Sequence, residues 1–299
     1  METRGLADMQ ITAVGVGTAP IGSGRDWPVW WGPQDEGESI RTIHEALDVG
    51  VNWVDTAPFY GWGRAEEVVG RALRGRDDVL VFTKCGTLPD PERGDRMDLS
   101  PDAIRTDLEA SLLRLQRDRV DLLQLHDVDR NTPIEESWGA VQRLIEEGKV
   151  RHGGISNHPA ADVERALAVG PVGALQYQYS LLHREPEEDI LPLALDRGIG
   201  LLAWSPLASG FLADDFDLAE LVPDDFRHGH PFAQLDLPPL RARLAEVGRR
   251  HGRSAAQVAI AWVLRHRGVA GAIVGVRTPE EAAQLPGVLG VPPEELEAL

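Results

Sequence analysis

The sequence predicts an α/β protein built as a single (β/α)8 TIM barrel over residues 1–299. Three observations carry that reading. Eight short apolar runs alternate with amphipathic stretches along the whole chain, a pattern that yields a parallel sheet covered by helices. The length accommodates the roughly 250 residues that such a barrel needs. The competing doubly wound sheet should open on a GxGxxG turn, but Gly15-Val16-Gly17-Thr18-Ala19-Pro20 puts proline at the third glycine.

The elements follow in order. Residues 13–16 form the first strand. A helix over 39–49 sets Ile40, Ile43, Ala46 and Leu47 at helical spacing and closes on Gly50. Runs at 51–54 and 79–83 supply strands two and three, rich in the β-branched residues of buried parallel strands. Ser100 caps a helix over 101–116, with Pro101 at its first position and Ile104, Leu108, Leu112 and Leu115 on its buried face. Strand four is 120–125, and a helix over 134–147 ends at Gly148. Strand five at 150–155 precedes a helix over 161–169, and strand six at 173–177 precedes one over 190–197. Strand seven is 200–204, strand eight 271–276, and helices at 240–251, 254–266 and 279–285 fill the remainder.

Two loops exceed the usual length. Residues 20–38 follow strand one and carry Trp27, Trp30 and Trp31; residues 208–239 follow strand seven and carry Arg227, His228 and His230. Long loops inside a compact domain are usually functional, and loops after barrel strands lie on the face where the chemistry is found. Together with Trp62, the three loop tryptophans are the candidates for the substrate entrance, and at least two of the four are expected to line it. His228-Gly229-His230 lies in a loop without an HExxH partner and is read as a polar segment, not a metal site.

Composition narrows the function. Forty-eight acidic against 30 basic residues give a net charge of −18, which disfavours nucleic acid and anionic membranes as partners. The single cysteine, Cys85, forbids an intrachain disulfide and suits a reducing compartment. No apolar run approaches a membrane span, and the start of the chain lacks the apolar stretch of a signal peptide. A cytoplasmic location is expected.

Asp55, Lys84 and His126 end strands two, three and four, and Tyr60 follows Asp55 by one short loop. Neighbouring strands bring these four side chains to one mouth. Tyrosine, with a free pKa near 10, is a poor acid–base catalyst alone. An adjacent ammonium is expected to lower it, an aspartate to hold the ammonium, and a histidine to orient a carbonyl oxygen. Lys84 is one of only two lysines, the other being Lys149.

These residues carry a resemblance. Asp55-Thr56-Ala57-Pro58-Phe59-Tyr60-Gly61, continued by Arg64-Ala65-Glu66-Glu67-Val68-Val69-Gly70, resembles the first signature of the aldo-keto reductases. Lys84 in Val81-Phe82-Thr83-Lys84 and His126 in Leu122-Leu123-Gln124-Leu125-His126 complete the family's tetrad. The segments Gly148–Asn157 and Trp204–Gly210 resemble two further signatures, so the likeness runs from Val14 to Leu285. It extends to bacterial members near the potassium-channel beta-subunit-like branch.

The resemblance implies an NAD(P)H-dependent oxidoreductase acting on an aldehyde, ketone or aldose, with Tyr60 as general acid–base. It places Ser156, Asn157 and Gln176 at the nicotinamide carboxamide and Trp204 on the nicotinamide ring. Ser205, Leu207 and Gly210 would follow the pyrophosphate, with Gly17 and Thr18 on the other side. At the adenine end Gly275, Arg277, Glu281 and Arg227 are the candidates. NADP is the expected cofactor; Glu281, where the family commonly has Gln or Arg, is the feature that would favour NAD. The alternative is a redox-sensing module that binds the cofactor with little turnover. The presence of His126 and the lack of an extension before the first strand speak for the enzyme. The expected partner is a small carbonyl or sugar, and oligomeric state is not readable.

Overall fold

The computed structural model describes residues 1–299. It begins with an antiparallel hairpin, β1 (Thr3–Leu6) and β2 (Met9–Thr12). The turn passes through Ala7 at φ 51°, a left-handed position without the usual Asn-Gly signal, which is why the sequence pattern hides it.

The barrel strands are β3 (Val14–Gly17), β4 (Trp53–Asp55) and β5 (Leu80–Cys85), then, after a second hairpin of β6 (Thr87–Asp90) and β7 (Gly94–Met97), β8 (Val120–Leu125). They continue with β9 (Val150–Ser156), β10 (Ala174–Gln178), β11 (Leu201–Trp204) and β12 (Val269–Gly275). These eight are parallel and close on themselves, with β12 paired to β3. Every barrel strand falls within two residues of an apolar run read from the sequence.

The covering helices are α1 (Glu36–Asp48), α2 (Arg64–Ala72), α3 (Pro101–Leu115), α4 (Ile134–Glu146), α5 (Ala160–Leu167) and α6 (Ile190–Arg197). α7 (Pro238–His251) and α8 (Ala255–Leu264) lie between β11 and β12, followed by α9 (Pro279–Ala283) and α10 (Pro293–Glu297). α1 starts three residues before the periodicity suggests, because the Asp35 carboxylate accepts from Glu38 N at 2.7 Å and caps it there. A reciprocal Ser254–Gln257 capping box starts α8.

Strand alternation sorts the side chains. On β5, Val81 and Cys85 pack in the layer against the helices, whereas Phe82 joins Trp53, Leu122, Ala174 and Leu202 inside the barrel. Leu6, Met9 and Ile11 of the first hairpin extend this inner cluster. The bulk of Trp53 is matched by glycine: a Cβ on Gly15 would lie 2.2 Å from its ring, and one on Gly271 2.9 Å. Two residues further up each strand the inward positions turn polar, giving Asp55, Lys84, Gln124 and Gln176.

Candidate active site

The polar layer is tightly bonded. Lys84 and Asp55 are each 1 % exposed, and Nζ donates to Asp55 Oδ1 at 2.5 Å. Nζ also donates to Thr56 O and to Tyr60 Oη, both at 3.0 Å. All three ammonium hydrogens are therefore committed, a geometry that a planar guanidinium cannot reproduce. The second carboxylate oxygen of Asp55 accepts from Gln176 Nε2 at 2.8 Å and Gln124 Nε2 at 3.2 Å, while Gln176 also donates to Gln124 Oε1. The role of Gln124 has a sequence signal in retrospect: an amide two residues before His126 on an apolar strand must point into the barrel.

Tyr60 and His126 stand above this layer with ring centroids 5.9 Å apart at 83°. Burial pushes the Tyr60 phenol up; the Lys84 charge opposes it without prevailing. The neighbouring ammonium, which the sequence predicts would lower the phenol, is outweighed by the loss of water around the ring. Tyr60 is thus a protonated acid across the neutral range. Burial draws the Lys84 ammonium down, but the Asp55 and Tyr60 charges outweigh it and hold the group above its ordinary value. Burial, aided by Lys84, keeps the His126 imidazole well below its ordinary range, so the ring is neutral.

These residues open onto a cavity of about 820 Å3 at the C-terminal ends of the strands. Lys84 lies beneath its floor; Asp55, Tyr60 and His126 line it. So do all thirteen residues singled out for a dinucleotide. Gly17, Thr18 and Gly275 come from β3 and β12, and Thr18 Oγ1 donates to Asp55 O at 3.0 Å. Ser156, Asn157 and Gln176 stand across the barrel, while Trp204 ends β11 beside β12. Asn157, at φ 60°, donates through Nδ2 to His126 O and accepts from Trp204 Nε1 at 3.1 Å, which fixes the indole.

Beyond Trp204 the backbone turns through left-handed Ser205, Ala208, Ser209 and Gly210, with Leu207 on the cavity wall. Arg227 is 8 % exposed and paired with Asp225 through Nε and Nη2, at 2.9 and 2.8 Å. Arg277 spends Nε, Nη1 and Nη2 on Gln34 Oε1, Trp31 O and Pro33 O, and its N–H on the Glu281 carboxylate.

The four tryptophans divide. Trp27 and Trp31 line the cavity. Trp30 and Trp62 do not: Trp30 is buried beneath Arg25, 4.6 Å from its ring, and Trp62 Nε1 donates to Asp26 O at 3.0 Å. Trp62 pins the long loop to the rim, and Trp30 packs within the loop itself. His228 and His230 also serve local turns, and no group of His, Cys, Asp and Glu gathers as metal ligands.

The donor set fits a nicotinamide dinucleotide. Ser156 Oγ is buried without a partner, a state that a polar ligand group would relieve. Gln176 commits its amide nitrogen to the floor, leaving Oε1 as an acceptor beside it.

The buried pair makes a direct prediction. Asp55→Ala strands an ammonium in the barrel and should destabilise the fold by about 3–5 kcal/mol. The Asp55→Ala/Lys84→Met double variant should recover most of that loss, as read from urea denaturation of both proteins. Equal losses in the two would mean that the pair is not what the site tolerates least.

Comparison with known proteins agrees with this geometry. The profile of the Aldo/keto reductase family matches residues 13–298. Aldo-keto reductase YhdN of Bacillus subtilis is 35 % identical, covering 97 % of this chain and 89 % of that protein. The glycerol dehydrogenase AKR11B4 of Gluconobacter oxydans superposes with a TM-score of 0.87 at 34 % identity, over 99 % of this chain and 93 % of that one. An aldo/keto reductase from Klebsiella pneumoniae, solved with NADP and acetate, gives 0.74 at 28 % identity, over 97 % and 91 %. With the profile spanning nearly the whole sequence, the chain belongs to the aldo/keto reductase family.

Proposed function

We propose that this protein is a carbonyl reductase and alcohol dehydrogenase for small aldehydes, ketones or aldoses, with Tyr60 as its general acid–base. Family membership makes it an NAD(P)H-dependent oxidoreductase of small carbonyl compounds. The observation that carries the finer reading is the Lys84 ammonium donating to Tyr60 Oη at 3.0 Å while Asp55 anchors it from below. A phenol that accepts from an ammonium keeps its own hydrogen free to give away.

The nicotinamide, when bound, exchanges hydride with the substrate carbon. Tyr60 delivers its proton to the carbonyl oxygen, and Lys84 stabilises the phenolate left behind. His126, held neutral, orients that oxygen. In the oxidative direction the phenolate takes the proton back from the alcohol. Because burial raises the Tyr60 phenol, reduction should stay level through neutral pH and fall only in the strongly alkaline range, where oxidation should rise.

NADP is the proposed cofactor, and the relative solved with NADP supports it. A specific observation favours NAD as the second reading. Arg277 is spent on the first loop, and Glu281 puts a carboxylate at the same end of the cavity. Cytoplasmic action as one domain is part of the proposal.

Steady-state rates with an aldehyde, ketone, aldose and glycerol panel, using NADPH and NADH in parallel, test the whole reading. The larger kcat/KM decides the cofactor. Tyr60→Phe keeps the ring and removes the proton, so turnover should drop about a hundredfold or more. Near-normal turnover would end the assignment. Trp204→Ala should weaken cofactor binding by about 1–2 kcal/mol through lost stacking and burial, measured by fluorescence titration; unchanged affinity would place the nicotinamide elsewhere. Trp27→Ala should raise substrate KM about tenfold, whereas Trp62→Ala should leave it within about twofold. The reverse pattern would move the substrate to the outer rim.

A further inference from the structure

A neutral imidazole carries one hydrogen, on Nδ1 or on Nε2, and the bond made by the other nitrogen decides which. In His126, Nδ1 lies 3.1 Å from Thr87 Oγ1, the one side-chain group in hydrogen-bond reach of the ring. Thr87 is 7 % exposed and begins β6, in the hairpin that the sequence pattern did not reveal. Its position is fixed from both sides. Gly86 before it turns at φ 98° with its N–H donating to the Asp107 carboxylate at 2.8 Å, and Thr87 itself pairs with Met97 across the hairpin.

We propose that Thr87 is a positioning residue that sets the His126 tautomer: its hydroxyl donates to Nδ1 and leaves the hydrogen on Nε2, across the ring from the hairpin. That hydrogen is the donor that orients a carbonyl oxygen beside Tyr60. The Thr87 hydroxyl has one hydrogen and two acceptors to choose from, because Met97 Sδ lies at 3.3 Å. A thioether is a weak acceptor and an imidazole nitrogen a strong one, so the ring takes it. In the opposite arrangement Nδ1–H would donate to Thr87 and a lone pair on Nε2 would face the substrate oxygen. Two lone pairs would then meet where the reaction needs a donor. This inference rests on the carbonyl-reduction reading for its purpose, though the tautomer itself is a property of the protein alone.

The experiment is a two-bond 1H–15N spectrum of the full-length protein labelled with 15N-histidine, the His126 signals being identified by their absence in His126→Asn. Wild type should show hydrogen on Nε2. Thr87→Val, nearly the same shape without the hydroxyl, should lose that signature, and kcat for aldehyde reduction should fall about tenfold with cofactor KM unchanged. Thr87→Ser should restore both and guards against a packing defect in the valine variant. A wild-type ring with hydrogen on Nδ1 would overturn the proposal. So would a Thr87→Val protein that keeps both the Nε2 signature and the wild-type kcat. A wild type that reduces no carbonyl compound, yet loses the Nε2 hydrogen with Thr87→Val, would remove the carbonyl-reduction reading and leave this one standing.

Discussion

The site depends on keeping a charged lysine inside a barrel. An ammonium without water is tolerated only if each hydrogen finds a partner and a counter-charge stands close. Asp55 supplies the charge, Thr56 the carbonyl and Tyr60 the hydroxyl. The requirement then propagates. Asp55 is itself buried, so its second oxygen needs donors, and Gln124 and Gln176 reach across the barrel to provide them. Five side chains from four strands and one loop are thereby locked in mutual orientation, which is the preorganisation an acid–base site requires.

Much of this was legible in the chain because strands have a period of two. Asp55, Lys84 and Gln176 each stand two residues beyond an apolar inward residue, Trp53, Phe82 and Ala174. The eight runs, their order and the two long loops likewise follow from patterning alone. The hairpin that carries Thr87 did not show, since Thr87–Asp90 and Gly94–Met97 are short, mostly polar and largely exposed, without the apolar alternation of a strand. The proton affinity of Tyr60 departs from the sequence expectation for another reason. Sequence identifies the neighbouring charge but gives no measure of how much water the fold removes.

The same limit applies to the tryptophans. Four indoles near one rim look alike in sequence, yet Trp27 and Trp31 face the cavity, Trp62 fastens the loop and Trp30 packs within it. Fastening matters because the two long loops meet over the cavity. Arg25 pairs with Asp224 at 2.7 Å, Phe226 N donates to Trp30 O, and Trp31 packs edge-on against Phe226. Arg277 adds its bonds to the first loop from β12's end. Residues far apart in the chain thus share the task of holding the two loops at the cavity.

The hairpin at the other end of the barrel has a consequence for proton traffic. Leu6, Met9 and Ile11 join Trp53 and Phe82 in an apolar cluster below Lys84. No hydrogen-bonded chain leads downward from the ammonium, so the relay is a cul-de-sac. A proton reaches or leaves Lys84 only from the cavity side, by way of Tyr60 or Asp55. On the proposed reading of Tyr60 as the acid, a ligand that fills that mouth cuts the phenol off from bulk solvent and commits its proton to the molecule in front of it.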